Sequence, residues 1–300
     1  MKTKAIVTMP PYAGYLSDVV KHPIVSGIRL NTVMPTKEKL EDMLKRLNNA
    51  TGDKDLWIDL KGRQLRTKGY WVPPFTEIQL THTIKVDTPA TAVFSDGKEY
   101  ATILEVDGNR LIMQEGPRRV VGPGESLNIR GKNLSIDGYF TETDFRYIEA
   151  GQKTGTKKYM LSFVESKTDI DLLKKLYSEA EIIAKIESKK GLDYVMRSWN
   201  NDARLMAARG DLYLELDMPH DIIKASESII RKDKDAIVAS RIFDSLSYQE
   251  EISSQDIGDV DSLMRMGYRN FMFGDYICMH KESIMSGLNL LYRMAESYEK

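Results

Sequence analysis

Short apolar runs recur along the chain: KAIVTM, SGIRLN, LWIDL, KYMLSF, EIIAKI, ARLMAA, DAIVAS and NFMF. An unbroken apolar run bounded by polar residues is what a parallel strand covered on both faces requires. Between these runs the period changes to that of a helix. Leu40, Met43, Leu44 and Leu47 fall at i, i+3, i+4 and i+7 behind Thr36 as a cap, and Ile170, Leu172, Leu173 and Leu176 follow Thr168 in the same way. MPHDIIKASESIIRK, with Pro219 suited to a first turn, and DVDSLMRMG supply two further helices. Strand and helix therefore alternate, which predicts an α/β protein, a TIM (β/α)8 barrel whose catalytic groups collect at the carboxyl ends of the strands. An open doubly wound sheet is the alternative.

One interval breaks this rhythm. From Lys68 the helical period vanishes, and TEIQLTHTIKV, ATAVFSDGKEYATILEV and NRLIMQEG read as short strands separated by SDG, VDGN and EGP turns. The prediction is a small all-β domain inserted after the third strand, over 68–132, with the barrel formed by 1–67 and 133–300. Thr141 is placed to cap the helix with which the barrel resumes. An insert at the active-site end is placed to act as a water-excluding lid, with a decorative insert as the lesser alternative.

Charge narrows the class. The 43 Lys and Arg residues balance 44 Asp and Glu, and no basic block appears, so nucleic acid is not an expected partner. The start, MKTKAIVTMPPY, lacks the apolar core of a signal peptide and no run is long enough to span a membrane, so a cytoplasmic protein without membrane contact is expected. Cys278 is the single cysteine and reads as a packed hydrophobe; His82 and His220 read as structural or solvent-facing.

Charged residues nevertheless stand at the ends of apolar strands. Arg29 and Asn31 end the second, Asp59 and Lys61 the third, Lys185 and Glu187 the fifth, Asp211 follows the sixth, and Ser240 and Arg241 end the seventh. Lys185 and Glu187 are two apart and share one face of their strand. The plain reading is a solvated charged face. The chemical reading is a site in which Glu187 and Asp211, hard oxygen donors, bind Mg2+ or Mn2+. Lys185 and Arg29 would then give positive charge to a phosphoryl group or an enolate, and Gly210 would let backbone N–H groups approach an anion.

At these residues the sequence resembles the pyruvate kinase family. IDLKGRQLRT is similar to its D-x-K-G-x-x-x-R-T motif, IIAKIESKKG to I-x-K-I-E-x-x-x-G, and LMAARGDLYLEL to M-x-A-R-G-D-L-x-x-E. That family's barrel also carries a β-domain after its third strand. The resemblance implies phosphoryl transfer from phosphoenolpyruvate to ADP followed by protonation of the enolate to pyruvate. It implies Glu187 and Asp211 as divalent-metal ligands, Lys185 and Arg29 on the transferring phosphoryl group and the enolate, and Ser240 near the proton-delivery path. The backbone of Ala208, Arg209, Gly210 and Asp211 would cradle the substrate carboxylate. Asn31 and Asp59 match ligands of a monovalent cation, and Arg66 matches an arginine on nucleotide phosphates.

The chain departs from the pattern where those last two functions lie. Val33 and Met34 stand for a serine and a histidine, Leu60 for a threonine, Gln64 for a glutamate, and Glu165 for an arginine. Potassium is therefore expected to bind poorly, while the divalent-metal and enolate groups are kept. KESIMSGLNLLYRMAESYEK is expected to be the last barrel helix, with no counterpart of the family's C-terminal allosteric domain and no control through one. Two other functions remain open: a metal-dependent lyase or decarboxylase of phosphoenolpyruvate, pyruvate or oxaloacetate, and a non-catalytic, kinase-like regulatory protein. A homo-oligomer is compatible with either.

Overall fold

The computed structural model describes residues 2–299 and closes eight parallel strands into a barrel. In chain order these are β1 (Lys4–Thr8), β2 (Val25–Asn31), β3 (Asp55–Leu60), β11 (Lys158–Leu161), β12 (Glu181–Ile186), β13 (Arg204–Ala208), β14 (Ile237–Ala239) and β15 (Asn270–Phe273). Each is hydrogen-bonded to its neighbour, and β15 returns to β1 with Lys4 opposite Asn270. All eight coincide with the apolar runs, and the open sheet is excluded.

Strands β4 to β9 lie within the interval expected for the insert, and β10 lies just past its expected end at residue 132 but pairs with a strand of the insert. β4 (Glu77–Gln79), β8 (Arg110–Met113), β7 (Glu99–Asp107), β6 (Ala90–Phe94) and β9 (Leu127–Arg130) form, in that order, an antiparallel sheet; β5 (Ile84–Lys85) pairs with β10 (Ser135–Ile136). Trp71, Ile78, Phe94, Ile103, Leu111 and Leu127 give this sheet an apolar core of its own.

Helices α1 (Leu16–Val20), α2 (Leu40–Thr51), α3 (Glu142–Thr154), α4 (Lys167–Leu176), α5 (Lys189–Ser198), α6 (Arg209–Glu215), α7 (Asp221–Lys232), α8 (Ser254–Met266) and α9 (Lys281–Glu296) surround the barrel. Thr141 caps α3, its hydroxyl accepting from the Asp144 N–H. Three other expected starts are corrected. α2 begins after Lys39, and Thr36 instead accepts from the Glu38 N–H. α4 is capped by Ser166 in a capping box with Asp169, because a reciprocal pair satisfies two end donors where Thr168 would satisfy one. Pro219 precedes α7, whose cap is His220.

Strand alternation creates the site. Ile6, Trp57, Met160, Ile183, Met206, Ile237 and Met272 fill the barrel interior, while Ile58, Leu60, Ile182 and Ala184 pack toward the helices. Two residues beyond Trp57 on the inward face comes Asp59, and two beyond Ile183 comes Lys185, then Glu187. The interior thus changes from apolar to charged at the carboxyl end of the strands.

Candidate active site

Asp59 is the hub. It is fully buried, and its Oδ2 accepts from Arg29 Nε at 2.8 Å and Lys61 Nζ at 3.0 Å, while Oδ1 lies 3.2 Å from Lys185 Nζ. Burial opposes the ionised carboxyl, but Lys185, Lys61 and Arg29 together outweigh it and hold the Asp59 pKa well below the usual carboxylate range. Lys185 Nζ also donates to Ser162 Oγ at 2.8 Å and sits 3.2 Å from Glu187 Oε1. Burial alone would lower the Lys185 pKa; Asp59 and Glu187 reverse it, and the ammonium is stabilised. Lys185 and Glu187 are 4% and 3% exposed, which rules out the solvated charged face.

Glu187 Oε2 accepts from the Phe163 N–H at 2.8 Å. Asp211, at the first turn of α6, accepts on Oδ2 from Gln64 Nε2 at 3.3 Å, and its charge is one of those that raise the Lys185 pKa. Among the described residues no three His, Cys, Asp or Glu side chains are grouped to enclose a metal ion. A pair of carboxylates suits Mg2+ or Mn2+, which keep waters and take substrate oxygens alongside one or two protein carboxylates. The donor chemistry therefore fits a divalent cation.

Arg29 is oriented from three sides: Nη1 donates to Thr8 Oγ1 at 2.9 Å and reaches Asp275 Oδ2 at 3.2 Å, besides the Asp59 contact. Asn31 Nδ2 donates to Asp275 Oδ1 at 2.8 Å. Asn31 thus spends its amide N–H on Asp275 and its oxygen accepts from the Val33 N–H at 3.4 Å, while Asp59 accepts from Arg29, Lys61 and Lys185. Leu60 packs toward the helices and Val33 is exposed.

The loop after β3 is fixed by Asp144, whose two oxygens accept from the N–H groups of Lys61 at 2.8 Å and Gly62 at 3.1 Å. Gly62 has φ 51°, and a Cβ there would come within 2.8 Å of the Ser162 carbonyl and the Tyr139 ring. Arg63 bonds Glu165 Oε2 at 2.7 Å and pairs with Asp169, while Glu165 Oε1 accepts from Ser188 Oγ at 2.7 Å. The acidic Glu165 is thus neutralised by an arginine from the neighbouring loop. Arg66 is tied by Nη1 to the Gly124 carbonyl and by Nη2 to Gln64 Oε1 at 2.6 Å.

Ala208 ends β13, and α6 opens at Arg209. The Arg209 side chain turns away to Asp259, at 2.7 and 2.8 Å, and to the Ser240 carbonyl. A Cβ at Gly210 would meet Ser240 Oγ at 3.2 Å, so the strand ends carrying Gly210 and Ser240 lie against each other. Ser162, Asp144 and Asp275 were missed by sequence reasoning; only Asp275, an acid just past the last apolar strand, left a readable signal. Cys278 is fully buried with its pKa pushed up by burial, and His82 is buried beside Thr81. His220 is exposed.

The insert rests on α6. Asn128 Nδ2 donates to Glu215 Oε1 at 3.0 Å, and Arg130 donates from Nε and Nη2 to the Leu214 carbonyl at 3.1 and 3.0 Å. A cleft of about 1320 Å3, lined in part by Tyr100, Arg130, Lys190 and Tyr213, runs between insert and barrel; Lys185, Glu187 and Asp211 are not among its lining residues. No helix among the described residues is long and apolar enough to cross a membrane.

Comparison with known proteins places this arrangement. Residues 76–273 match the family model described as pyruvate kinase, barrel domain. The chain is 26% identical to the pyruvate kinase of Thermoplasma acidophilum over 303 residues, covering 87% of this chain and 52% of that protein. It is also 26% identical to that of Methanocaldococcus jannaschii, over 100% of this chain and 76% of the relative. It thus spans between about half and three quarters of their length. The crystal structure of Cryptosporidium parvum pyruvate kinase shares the fold, with a TM-score of 0.82 at 18% identity over 99% of this chain and 71% of that one. With most of its length matched by the family model and its β-domain inserted after the third strand of the barrel, the chain belongs to the pyruvate kinase family.

Proposed function

We propose that the chain is a divalent-metal-dependent phosphotransferase that moves the phosphoryl group of phosphoenolpyruvate to ADP and delivers a proton to the remaining enolate. The observation that carries this reading is the Lys185 ammonium held at 3.2 Å from both Asp59 and Glu187 within a closed barrel mouth. Such phosphoryl transfer needs positioning and fixed positive charge rather than a protein nucleophile.

Lys185 supplies a preorganised charge to the transferring group and the enolate oxygen, and Arg29, braced by Thr8, Asp59 and Asp275, supplies a second. Glu187 and Asp211 hold Mg2+ or Mn2+, which when bound acts as a Lewis acid on substrate oxygens. The backbone from Ala208 to Asp211 receives the carboxylate, Ser240 offers a hydroxyl to the proton path, and the insert excludes water by resting over the mouth. Arg66 serves the nucleotide phosphates. The reaction belongs in the cytoplasm, with small molecules as the partners.

A second reading has one observation in its favour. Arg66 is already engaged by Gln64 and the Gly124 carbonyl, which suits metal-dependent enolate chemistry on a keto acid without nucleotide. Phosphoenolpyruvate, ADP and Mg2+ incubated with the protein yield pyruvate and ATP under the first reading. Turnover of oxaloacetate or pyruvate without nucleotide, and none of phosphoenolpyruvate with ADP, replaces it by the second.

A further inference from the structure

Gln64 is bonded differently at its two ends. Its Oε1 accepts from Arg66 Nε at 3.1 Å and Nη2 at 2.6 Å, and its Nε2 donates to Asp211 Oδ2 at 3.3 Å. A guanidinium can only donate and a carboxylate can only accept, so the amide has one workable orientation. A carboxylate in its place would satisfy Arg66 but repel Asp211. Gln64 is buried, so neither bond is exchanged freely with water.

Arg66 extends this chain into the insert: its Nη1 donates to the Gly124 carbonyl, and its backbone pairs with Ser126. The insert also grips the far end of the same helix that carries Asp211, through Arg130 on Leu214 and Asn128 on Glu215. The helix is seven residues long, so its two ends move as one rigid turn pair.

We propose that Gln64 is a positioning residue that aims the Asp211 carboxylate at the divalent cation, and that this aim depends on the insert being seated on α6. The inference rests on the reading of Glu187 and Asp211 as cation ligands. By linkage, a cation held by a fixed Asp211 in turn favours the seated insert.

Mn2+ titration of the full chain without substrate or nucleotide, followed by the paramagnetic resonance of free Mn2+, tests it. Asp211→Asn is expected to lose tight Mn2+ binding. Gln64→Met keeps the side-chain length and is expected to weaken binding by about tenfold, the cost typical of removing a group that orients a ligand, and to lower the thermal midpoint because Arg66 loses its acceptor. Arg130→Ala, which touches only the far end of α6, is expected to weaken binding severalfold. If Asp211→Asn binds as the parent does, the cation reading itself fails. If Asp211→Asn loses binding while folded Gln64→Met keeps the parent affinity, the positioning role is overturned. If Arg130→Ala alone is unchanged, the dependence on the insert is overturned. Should Gln64→Met not fold, Gln64→Asn retains the amide but cannot span both partners, and the same weakening is expected.

Discussion

Lys185 on β12 reaches Asp59 on β3 across the intervening strand, its ammonium 3.2 Å from Oδ1, with Ser162 of the β11 exit bridging at 2.8 Å. Three strand ends are thereby locked by one cation. Replacing it with Met leaves Asp59 with Arg29 and Lys61, and Glu187 with the Phe163 N–H. Because neither carboxylate is stripped bare, the loss of stability should fall below the roughly 3–5 kcal/mol seen when a buried pair is broken. Turnover should fall by about 10²–10³, the scale of one lost electrostatic group in the transition state. Denaturant unfolding and steady-state rates on Lys185→Met measure both; unchanged turnover removes Lys185 from the chemistry.

Potassium should stimulate turnover little. Asp59 already accepts from the side chains of Arg29, Lys61 and Lys185, so a monovalent ion would have to displace one of these donors or compete with it. Rates in potassium chloride and in tetramethylammonium chloride at equal ionic strength should agree within about twofold. Strong activation by potassium would contradict the occupancy of Asp59 by lysine.

Lys61 carries a pH dependence of its own. Burial lowers its pKa to about 7, with Lys185 and Arg29 adding to the effect and Asp59 only partly opposing it. In the unfolded chain the group returns to about 10.4. Between those values the unfolded chain binds a proton that the native protein has released, so this residue makes stability rise with pH through that window; below about 7 its full cost is present. Lys185, whose pKa is raised, contributes undiminished stability over the same window and loses it only above. The difference in unfolding free energy between parent and Lys61→Met should therefore shift toward the parent as pH is taken from 6.5 to 9.5. A flat difference would mean that Lys61 titrates normally.

The sequence made the barrel legible because each of its strands is apolar on both faces, a pattern few other elements share. The charged rim was legible for the same reason: Asp59, Lys185 and Glu187 interrupt runs that otherwise bury everything. Less could be read of the polar groups that orient that rim. Ser162 follows β11 as an ordinary serine, yet it bridges Lys185 and Asp59. Asp144 reads as a first-turn acid of α3, but it also anchors the loop of Lys61 and Gly62, distant by more than eighty positions. Such contacts depend on where the closed barrel brings strand ends together, which local periodicity does not encode. The helix starts expected at Thr36 and Thr168 failed for local reasons: Ser166 with Asp169 takes the α4 start, and Thr36, too far ahead of Leu40, accepts from the Glu38 N–H instead.

Ser240 separates stability from chemistry. Its φ of 71°, followed by 58° at Arg241, puts two consecutive side-chain-bearing residues in the left-handed region at the exit of β14. Each costs about 1–2 kcal/mol relative to ordinary backbone, and strain of this kind persists where function holds it in place. Ser240→Gly relieves one such cost and gives back roughly 0.5–1 kcal/mol through the freer unfolded chain. The net expectation is a protein more stable by a few tenths to about 1 kcal/mol. The same variant loses the hydroxyl assigned to the proton path beside Gly210, so turnover should fall. Ser240→Ala keeps the strain and loses the same hydroxyl: its rate should match that of Ser240→Gly while its stability stays near the parent. Thermal unfolding paired with pyruvate formation distinguishes these, and full activity in both variants would take Ser240 out of proton delivery.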